Sequence, residues 1–231
     1  MPARGFTLLE MLISITLVGL LMVALVTGLH VANKAWQQGE ARLDQVHAEE
    51  ERERFMFQQI ASLVPYQVSS TDPSVPGNFA ILEAGPARLR FLTTSSSRAW
   101  NRSGRLLTEY ALVPIPKEGF AVAVRETPVR DDAALLPMLI ERVDQDPDTG
   151  NAVIVHRPFL LRASDLRLMT GLDDGGFEYL GSLAAGKPPV WASSWEPTTE
   201  ALFPEAVRFT WQRRGEREQL VIPIRARFLP K

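Results

Sequence analysis

Residues 5–29 read GFTLLEMLISITLVGLLMVALVTGL, and the part from Met11 to Leu29 carries no charged side chain. The polar side chains of that part are three hydroxyls. With Phe6–Leu9 added, the apolar stretch is long enough to cross a hydrocarbon layer of about 30 Å as an α-helix. The sequence therefore predicts a membrane-spanning helix near the amino terminus.

Glu10 interrupts this apolar stretch. A carboxylate at the bilayer midplane costs about 2.5–3.5 kcal/mol on insertion scales, so an acid inside a span is first treated as a functional residue. An ordinary secretory signal peptide is disfavoured, because the basic region is Arg4 alone and no Ala-x-Ala-like site follows. An uncleaved signal anchor is a further alternative, and it would place Glu10 near the membrane interface.

Gly5-Phe6-Thr7-Leu8-Leu9-Glu10 resembles the class III signal peptide of type IV pilins and pseudopilins. In that family a prepilin peptidase cleaves after the glycine and methylates the new amino terminus. The resemblance implies cleavage between Gly5 and Phe6, N-methylation of Phe6, and a mature chain whose fifth residue is Glu10. It also implies that the Phe6 amine of one subunit meets Glu10 of the next in a filament, which neutralises both charges and sets the register of assembly.

The placement of these groups suits that role. Four residues separate the Phe6 amine from Glu10, so a helix brings them to one face. An anion in the first turn also meets the positive end of the helix dipole. The positive charges on the two sides of the span do not decide its orientation in the membrane, because Arg4 lies before the span and Lys34 and Arg42 lie after it. The resemblance implies a cytoplasmic leader and a single-pass protein of the bacterial inner membrane, with its carboxy-terminal head in the periplasm.

The helical pattern runs from Phe6 to Val64, and Pro65 is the first residue that stops it. Such a helix is about 90 Å long, so only its first third fits in lipid. We expect a leader at 1–5, a transmembrane half at 6–31, a stalk half at 32–64 and a β-rich globular head at 65–231. The charged run at 47–54 is interpreted as a solvated helix face.

Short segments rich in β-forming residues follow Pro65. Alternation at Val207-Phe209-Trp211 and again from Leu220 predicts a hairpin whose polar turn spans 213–218 and contains Gly215. Pro223 marks the second strand as an edge strand or as the site of a bulge. Residues 135–143 predict a strand or a short helix, and 173–191 a long loop. This order resembles the pilin-like α+β fold, in which a long amino-terminal helix packs on an antiparallel head with long loops. Further strands are predicted at 88–94, 106–113, 120–125 and 152–156.

Composition limits the classes of function. The chain has 231 residues with 25 Lys+Arg and 27 Asp+Glu, and a formal charge of −2 gives no support for nucleic-acid binding. It contains no cysteine, which excludes disulfides, thiolate catalysis and cysteine-ligated metals. Three histidines are present and none belongs to a known catalytic motif. We therefore expect neither an enzyme nor a cofactor.

Two local patterns have alternative interpretations. Asp144, Asp146 and Asp148 alternate as calcium ligands do, but Thr149 and Val155 stand where an EF-hand needs glycine and glutamate. A polar turn is therefore favoured over a metal site. Trp191 and Trp195 are interpreted as core residues in preference to a partner surface, although tryptophan is enriched at interaction hot spots.

Three features narrow the choice among the members of this family. The head is large, and it lacks the disulfide that type IV pilus subunits often carry. Glu10 is present in the span, whereas K-type minor pseudopilins typically lack this acid. The carboxy-terminal half resembles minor pseudopilin J (general secretion pathway protein J) of type II secretion systems. The segments that carry this resemblance are Leu89–Leu92, Tyr110–Leu112, the Trp191/Trp195 pair and Leu202–Val207.

The resemblance to J implies a set of partners. These are I-like and K-like minor pseudopilins in a tip complex, the major pseudopilin, and the prepilin peptidase. The complex would initiate a short filament that exports folded proteins. Two alternatives remain, namely a minor pilin that primes a type IV pilus for adhesion, motility or DNA uptake, and a membrane-anchored periplasmic binding domain whose leader matches by chance.

Overall fold

A computed structural model describes residues 8–69, 78–96, 104–145, 152–182, 187–197 and 203–224. The chain divides into two units, residues 1–51 and 52–231. Helix α1 runs from Leu8 to Ala61, and its 54 residues give a length of about 81 Å. No proline lies within it, and leucine and alanine, which favour helix, are frequent along it.

Helix α1 ends at Ala61 and not at Val64, where the sequence predicted its end. Leu63 instead forms an isolated antiparallel bridge with Thr93, and the Val64 N–H donates to the carbonyl of Leu92 at 2.7 Å. The chain therefore pairs with strand residues of the sheet before it reaches Pro65. A long-range hydrogen bond, rather than the helix breaker, determines the boundary.

Thirteen strands follow α1 within the described ranges. A turn of 3-10 helix at Asp132–Ala134 and helix α2 at Leu135–Leu139 lie between the sixth and seventh strands. The strands are β1 (Gln67–Ser69), β2 (Asn78–Ala80), β3 (Leu82–Gly85), β4 (Arg88–Thr93), β5 (Arg105–Ile115), β6 (Gly119–Val129), β7 (Ile140–Gln145), β8 (Ala152–His156), β9 (Leu166–Leu172), β10 (Asp174–Gly181), β11 (Val190–Ala192), β12 (Ala206–Arg213) and β13 (Glu216–Pro223).

Every strand pair in the described part of the head is antiparallel. The larger sheet has five strands in the order β3-β4-β5-β6-β9, and a second sheet has four in the order β11-β10-β12-β13. Two further pairs, β1-β2 and β7-β8, complete the described head. A long amino-terminal helix followed by antiparallel sheets confirms the expected α+β class.

The main core lies between the two sheets and the last turns of α1. Met56 and Ile60 of the helix are fully buried in it. A chain of aromatic rings crosses from one sheet to the other, because Tyr110 meets Phe177 at 6.5 Å and Phe177 meets Phe209 at 4.8 Å between ring centroids. Such edge and tilted pairs add about 0.5–1.5 kcal/mol each beyond the area that they bury.

A second, smaller core covers the opposite face of the larger sheet. Successive residues of a strand point to opposite faces, so Phe91 belongs to the main core while Leu92 belongs to the smaller one. Leu107 also lies there, packed in one cluster with Leu135 and Leu139 of α2. The larger sheet is therefore covered on both faces within the head.

Of the predictions for residues 135–143 and 173–191, the first is confirmed and the second is wrong. The segment 135–143, left open between helix and strand, contains both, namely α2 and then β7. The segment 173–191 is not a long loop, because β10 occupies its first half and pairs with β12 over seven residues. Glycine there reflects close packing, since a Cβ on Gly176 would lie 3.3 Å from the carbonyl oxygen of Pro86.

The predicted hairpin is present, but its turn is shorter than the predicted 213–218, because the two strands extend into that range. Arg213 pairs with Glu216, which leaves Arg214 and Gly215 as a two-residue turn with φ of 54° and 82°. Two positive φ values are the signature of the type I′ turn, whose twist matches that of paired strands. The following strand, β13, is an edge strand, which is one of the two alternatives that Pro223 indicated.

Candidate assembly site

Glu10 lies in the first turn of the described helix, with its side chain exposed. The hydroxyl of Ser14, one turn later, donates to the main-chain carbonyl of Glu10 at 2.7 Å. Gly5 and Phe6 lie outside the described residues. Cleavage after Gly5, methylation of Phe6 and the assembly role of Glu10 therefore stay predictions.

The apolar part of α1 presents its side chains outward. Leu8 is 86% exposed and Leu21 is 68% exposed. The hydroxyls of Thr16 and Thr27 donate to the carbonyls of Ile13 and Val23, each at 2.8 Å. These bonds satisfy the polar groups within the helix, which a hydrocarbon solvent requires. Among the described residues, α1 is the one helix long and apolar enough to cross a membrane.

A polar network ties the last turns of α1 to the larger sheet. Gln59 is fully buried. Its amide nitrogen donates to the Glu126 carboxylate at 2.6 Å and to the carbonyl of Ser95 at 3.1 Å. Its amide oxygen accepts from the Tyr110 hydroxyl at 2.6 Å. Burial, and next the nearby charge of Glu126, raise the pKa of Tyr110 well above its ordinary value, so the phenol stays a donor.

The hydroxyl of Thr93 extends this network. It exchanges a 2.6 Å hydrogen bond with the Ser62 hydroxyl and lies 3.4 Å from the carbonyl of Gln59. The end of α1 is therefore held to strands β4, β5 and β6 by directional bonds as well as by apolar packing. Directional bonds permit one register of the helix on the sheet, whereas apolar contacts alone tolerate sliding.

The comparison with known families bears on the amino-terminal segment. The family model described as the prokaryotic N-terminal methylation motif matches residues 1–26. This match covers the leader, Glu10 and most of the apolar span. The motif supports a type IV pilin-like protein. The long apolar helix is consistent with a single-pass, membrane-anchored protein. A search of curated proteins found no match.

The methylation motif ends within α1, so the head must be interpreted from its own geometry. A cluster of charges lies on the face of the larger sheet that carries the smaller core. Arg90, which is 1% exposed, pairs with Glu83 at 2.8 Å and with Glu109 at 2.5 Å. A guanidinium so deeply buried is stable only because both of its sides meet carboxylates.

An irregular segment, residues 157–165, crosses this charged face and is called the strap here. Arg90 donates to the carbonyl of Arg157 and Arg125 to that of Leu160, both at 2.5 Å. Arg125 also forms a two-point pair with Asp165 at 2.9 and 2.7 Å. Every residue of the strap is exposed or half-buried. Charge-assisted bonds, rather than apolar burial, therefore hold the strap to the sheet.

The Arg125–Asp165 pair is mutually stabilising. Burial opposes the charge on Asp165, but the Arg125 guanidinium and the Arg162 amide hold the pKa of Asp165 below its ordinary value. The hydrogen bond to Asp165 in turn raises the pKa of Arg125. A cavity of about 690 Å³ lies between the sheet and the strap, with Arg90, Glu109 and Arg125 among its lining residues.

His156 borders the same cluster. Its Nδ1 lies 3.8 Å from a carboxylate oxygen of Glu83. Burial lowers the pKa of His156, and the attraction of Glu83 only partly opposes this. The imidazole is therefore neutral at neutral pH.

The alternative calcium-ligand set of Asp144, Asp146 and Asp148 falls only partly within the described residues. Asp144 lies on β7 and pairs with Arg142 at 3.0 Å, whereas Asp146 and Asp148 fall outside the described ranges. No group of three acidic or histidine side chains with metal-binding spacing occurs in the part that the structure describes.

The two tryptophans behave differently. Trp195 is 4% exposed and belongs to the main core, as the favoured interpretation predicted. Trp191 is half-buried on β11, where the Arg208 guanidinium stacks 4.3 Å from the ring centroid. A cation over an exposed aromatic face contributes about 0.5–1 kcal/mol.

Sequence reasoning missed Gln59 and the charged cluster. Gln59 interrupts the buried helical pattern of Met56, Ile60 and Leu63, and that interruption was the available signal. Arg90 lies between two apolar residues on β4, which is also the pattern of a solvated face, and Glu109 follows the polar Thr108 on β5. Only the strap and α2, which come from later in the chain, show that this face is covered.

Proposed function

We propose that this pilin-like protein is a minor pseudopilin of a type II secretion system, most similar to the J type. It works in a tip complex with I-like and K-like minor pseudopilins and initiates a filament of the major pseudopilin. The filament exports folded proteins from the periplasm. The role is one of assembly and not of catalysis.

The proposal rests mainly on one observation. In this chain, a segment that matches the methylation motif is followed by a large head that contains no cysteine. The anchor supplies the features that filament subunits need, namely an exposed apolar helix and Glu10 near its start. The described part of the head contains a five-stranded and a four-stranded antiparallel sheet with two further strand pairs, and the chain, having no cysteine, has no disulfide. Subunits of type IV pili often carry a disulfide, so its absence favours a secretion filament.

Each segment has a place in the proposed mechanism. A prepilin peptidase of the inner membrane cleaves after Gly5 and methylates Phe6. The helix from Phe6 to Val31 then buries its apolar surface against sister helices. Glu10 meets the amino group of a neighbouring subunit and sets the register. The head stays in the periplasm and caps the filament.

The test is an in-frame deletion strain in which secreted proteins and surface pili are measured on the same cells. We expect exoproteins to accumulate in the periplasm while pili remain, and complementation in trans to restore export. A normal secretome with lost pili or motility would contradict the proposal. That outcome would assign the protein to the priming of a type IV pilus.

A further inference from the structure

Trp36 follows closely on the end of the membrane span. Val31 is the last large apolar residue of the uncharged stretch, and Lys34 is the first charged residue after it. Helix α1 continues through all three positions. The Trp36 side chain is 75% exposed, which is a large apolar surface for a residue already outside the hydrocarbon-length segment.

A lysine and a tryptophan close together at the end of an apolar span are typical of a membrane–water interface. Indole rings accumulate at the headgroup level, where their apolar body and their N–H group both find a suitable environment. A lysine stem can lie along the apolar boundary while its ammonium group reaches lipid phosphate. The apolar side chain of Leu29, 64% exposed on the same helix, lies on the hydrocarbon side of that boundary.

The length of the helix connects this boundary to Glu10. Helix α1 is uninterrupted between them, so the 1.5 Å rise per residue separates Glu10 from Trp36 by about 39 Å along the axis. A hydrocarbon core is about 30 Å thick, and a bilayer with its headgroup regions is about 40–45 Å thick. If Trp36 lies in one headgroup layer, Glu10 therefore reaches the other. Val23 is at the midpoint.

We propose that Trp36, with Lys34, is an interfacial anchor that fixes the depth of the span, and that it places Glu10 in the opposite headgroup layer of the unassembled subunit. The partner of this surface is the lipid headgroup region of a bilayer. In this position Glu10 avoids most of the penalty of a carboxylate at the bilayer midplane, which falls away toward the interfaces. The inference goes beyond the proposed function and holds for either kind of filament.

The absence of native cysteine allows a direct test on the full-length chain. Single-cysteine variants Met11→Cys, Val23→Cys and Gln37→Cys are labelled with an NBD fluorophore. They are reconstituted at high dilution in phosphatidylcholine–phosphatidylglycerol vesicles. Lipids that carry a nitroxide either at the headgroup or near the chain end then quench the label. We expect the labels at 11 and 37 to be quenched more strongly by headgroup nitroxide, and the label at 23 by chain-end nitroxide.

The anchor itself is tested by adding Trp36→Ala to the Met11→Cys and Gln37→Cys variants. We expect the headgroup preference to be lost at both positions, while the protein stays in the membrane fraction after carbonate extraction. Trp36→Tyr should retain the preference, because tyrosine is also an interfacial residue. Leu43→Ala is the matched control, since Leu43 is 61% exposed on α1 beyond the interface, and it should change nothing.

Three results would overturn the proposal. Stronger chain-end quenching of the label at 11 would place Glu10 in the hydrocarbon core. An unchanged depth profile for Trp36→Ala would show that other residues fix the depth. A label at 37 that neither nitroxide lipid quenches would show that this stretch contacts water or protein instead of lipid.

Discussion

Glu10 is the one carboxylate between Arg4 and Lys34, and it lies in the first turn of the described helix. Its neighbours on α1 are apolar side chains that point outward. A charge in that setting lowers the free energy of the subunit only when it meets an opposite charge. Under the proposed function, cleavage before Phe6 would create an amino terminus that supplies one, and a filament would bring a second copy of that terminus near Glu10.

Glu10→Ala should impair assembly while membrane insertion survives, because removing a carboxylate from an apolar helix makes insertion easier. The measurement is cross-linking to partner subunits in membranes that contain wild-type partners, with Glu10→Asp as the charge-retaining control. Normal incorporation of the alanine variant would argue against the assembly role.

Gly181 has a role that is purely steric. A Cβ at this position would lie within 2.5 Å of Cζ3 in the buried Trp195 ring. Gly181→Ala should therefore destabilise the head by about 1–3 kcal/mol, as overpacked cores do. Urea unfolding followed by tryptophan fluorescence measures this.

Gly85→Ala is the control for that experiment. Its new Cβ would meet the carbonyl oxygen of Arg88 at 3.8 Å, which is ordinary van der Waals contact. We expect a change within about 0.5 kcal/mol. Equal urea midpoints for the two variants would show that the Trp195 ring moves aside.

At the scale of elements, α1 is attached to the sheet by the Gln59 network. The hydrogen bonds of this attachment act cooperatively, because Gln59 bonds to Tyr110 and Glu126 at once. Gln59→Leu should destabilise the head by about 1–3 kcal/mol, since it leaves buried polar groups without a partner.

A double-mutant cycle with Tyr110→Phe separates the bond from the packing. The double variant should be less destabilised than the sum of the two single variants, because neither partner is then left unpaired. The measurement is the urea midpoint of each of the four proteins. Additive losses would contradict the network.

The strap should loosen in acid. The pKa of Asp165 is lower in the folded chain than its ordinary value of 3.8, so the unfolded chain binds the proton first. The stabilisation is complete above that ordinary value and is lost as pH falls through the folded pKa. At neutral pH, Asp165→Asn should lose about 1.5–3 kcal/mol, the range for hydrogen bonds to charged groups.

The matched control for the strap is Asp144→Asn, whose side chain is 48% exposed in its pair with Arg142. An exposed pair contributes little, so this variant should unfold like the wild type at every pH. Urea midpoints between about pH 2 and pH 7 give both results, because the loss lies below the ordinary pKa of Asp165. If the acid dependence of Asp165→Asn equals that of the wild type, Asp165 does not stabilise the strap through its charge.

At the scale of the whole molecule, the buried part of α1 begins late. Met56, Gln59 and Ile60 are fully buried, whereas Arg52 is exposed. We therefore expect residues 52–231 to fold without the preceding segment. A shorter fragment that starts at Pro65 lacks all three buried residues and should not fold, because deleting them leaves cavities in the core.

Near-ultraviolet circular dichroism and urea unfolding distinguish these two fragments. A cooperative transition is expected for residues 52–231 alone. A non-cooperative transition for that fragment would show that the first unit is needed for stability. A cooperative transition for the shorter fragment would show that the sheets can fold without the end of α1.

Some features follow from local pattern. The apolar span, the methylation-type leader and the start of a long helix depend on residues that are neighbours in sequence. The hairpin at Arg214–Gly215 was also predictable, because its turn residues and the alternation on both sides are local. The end of α1 came at Ala61 instead of Val64 because a bond to Leu92, far along the chain, competes with the last helical turn.

The sequence by itself determined the anchor, the position of Glu10 and the α+β order, because helical and strand periodicities are short-range properties. Only the tertiary structure decided that 174–181 is a strand, that Gln59 is buried and that Arg90 lies under the strap. Burial of a polar or glycine-rich segment depends on which distant segment covers it. Periodicity cannot report that, because a covered polar face and a solvated one have the same pattern of residues.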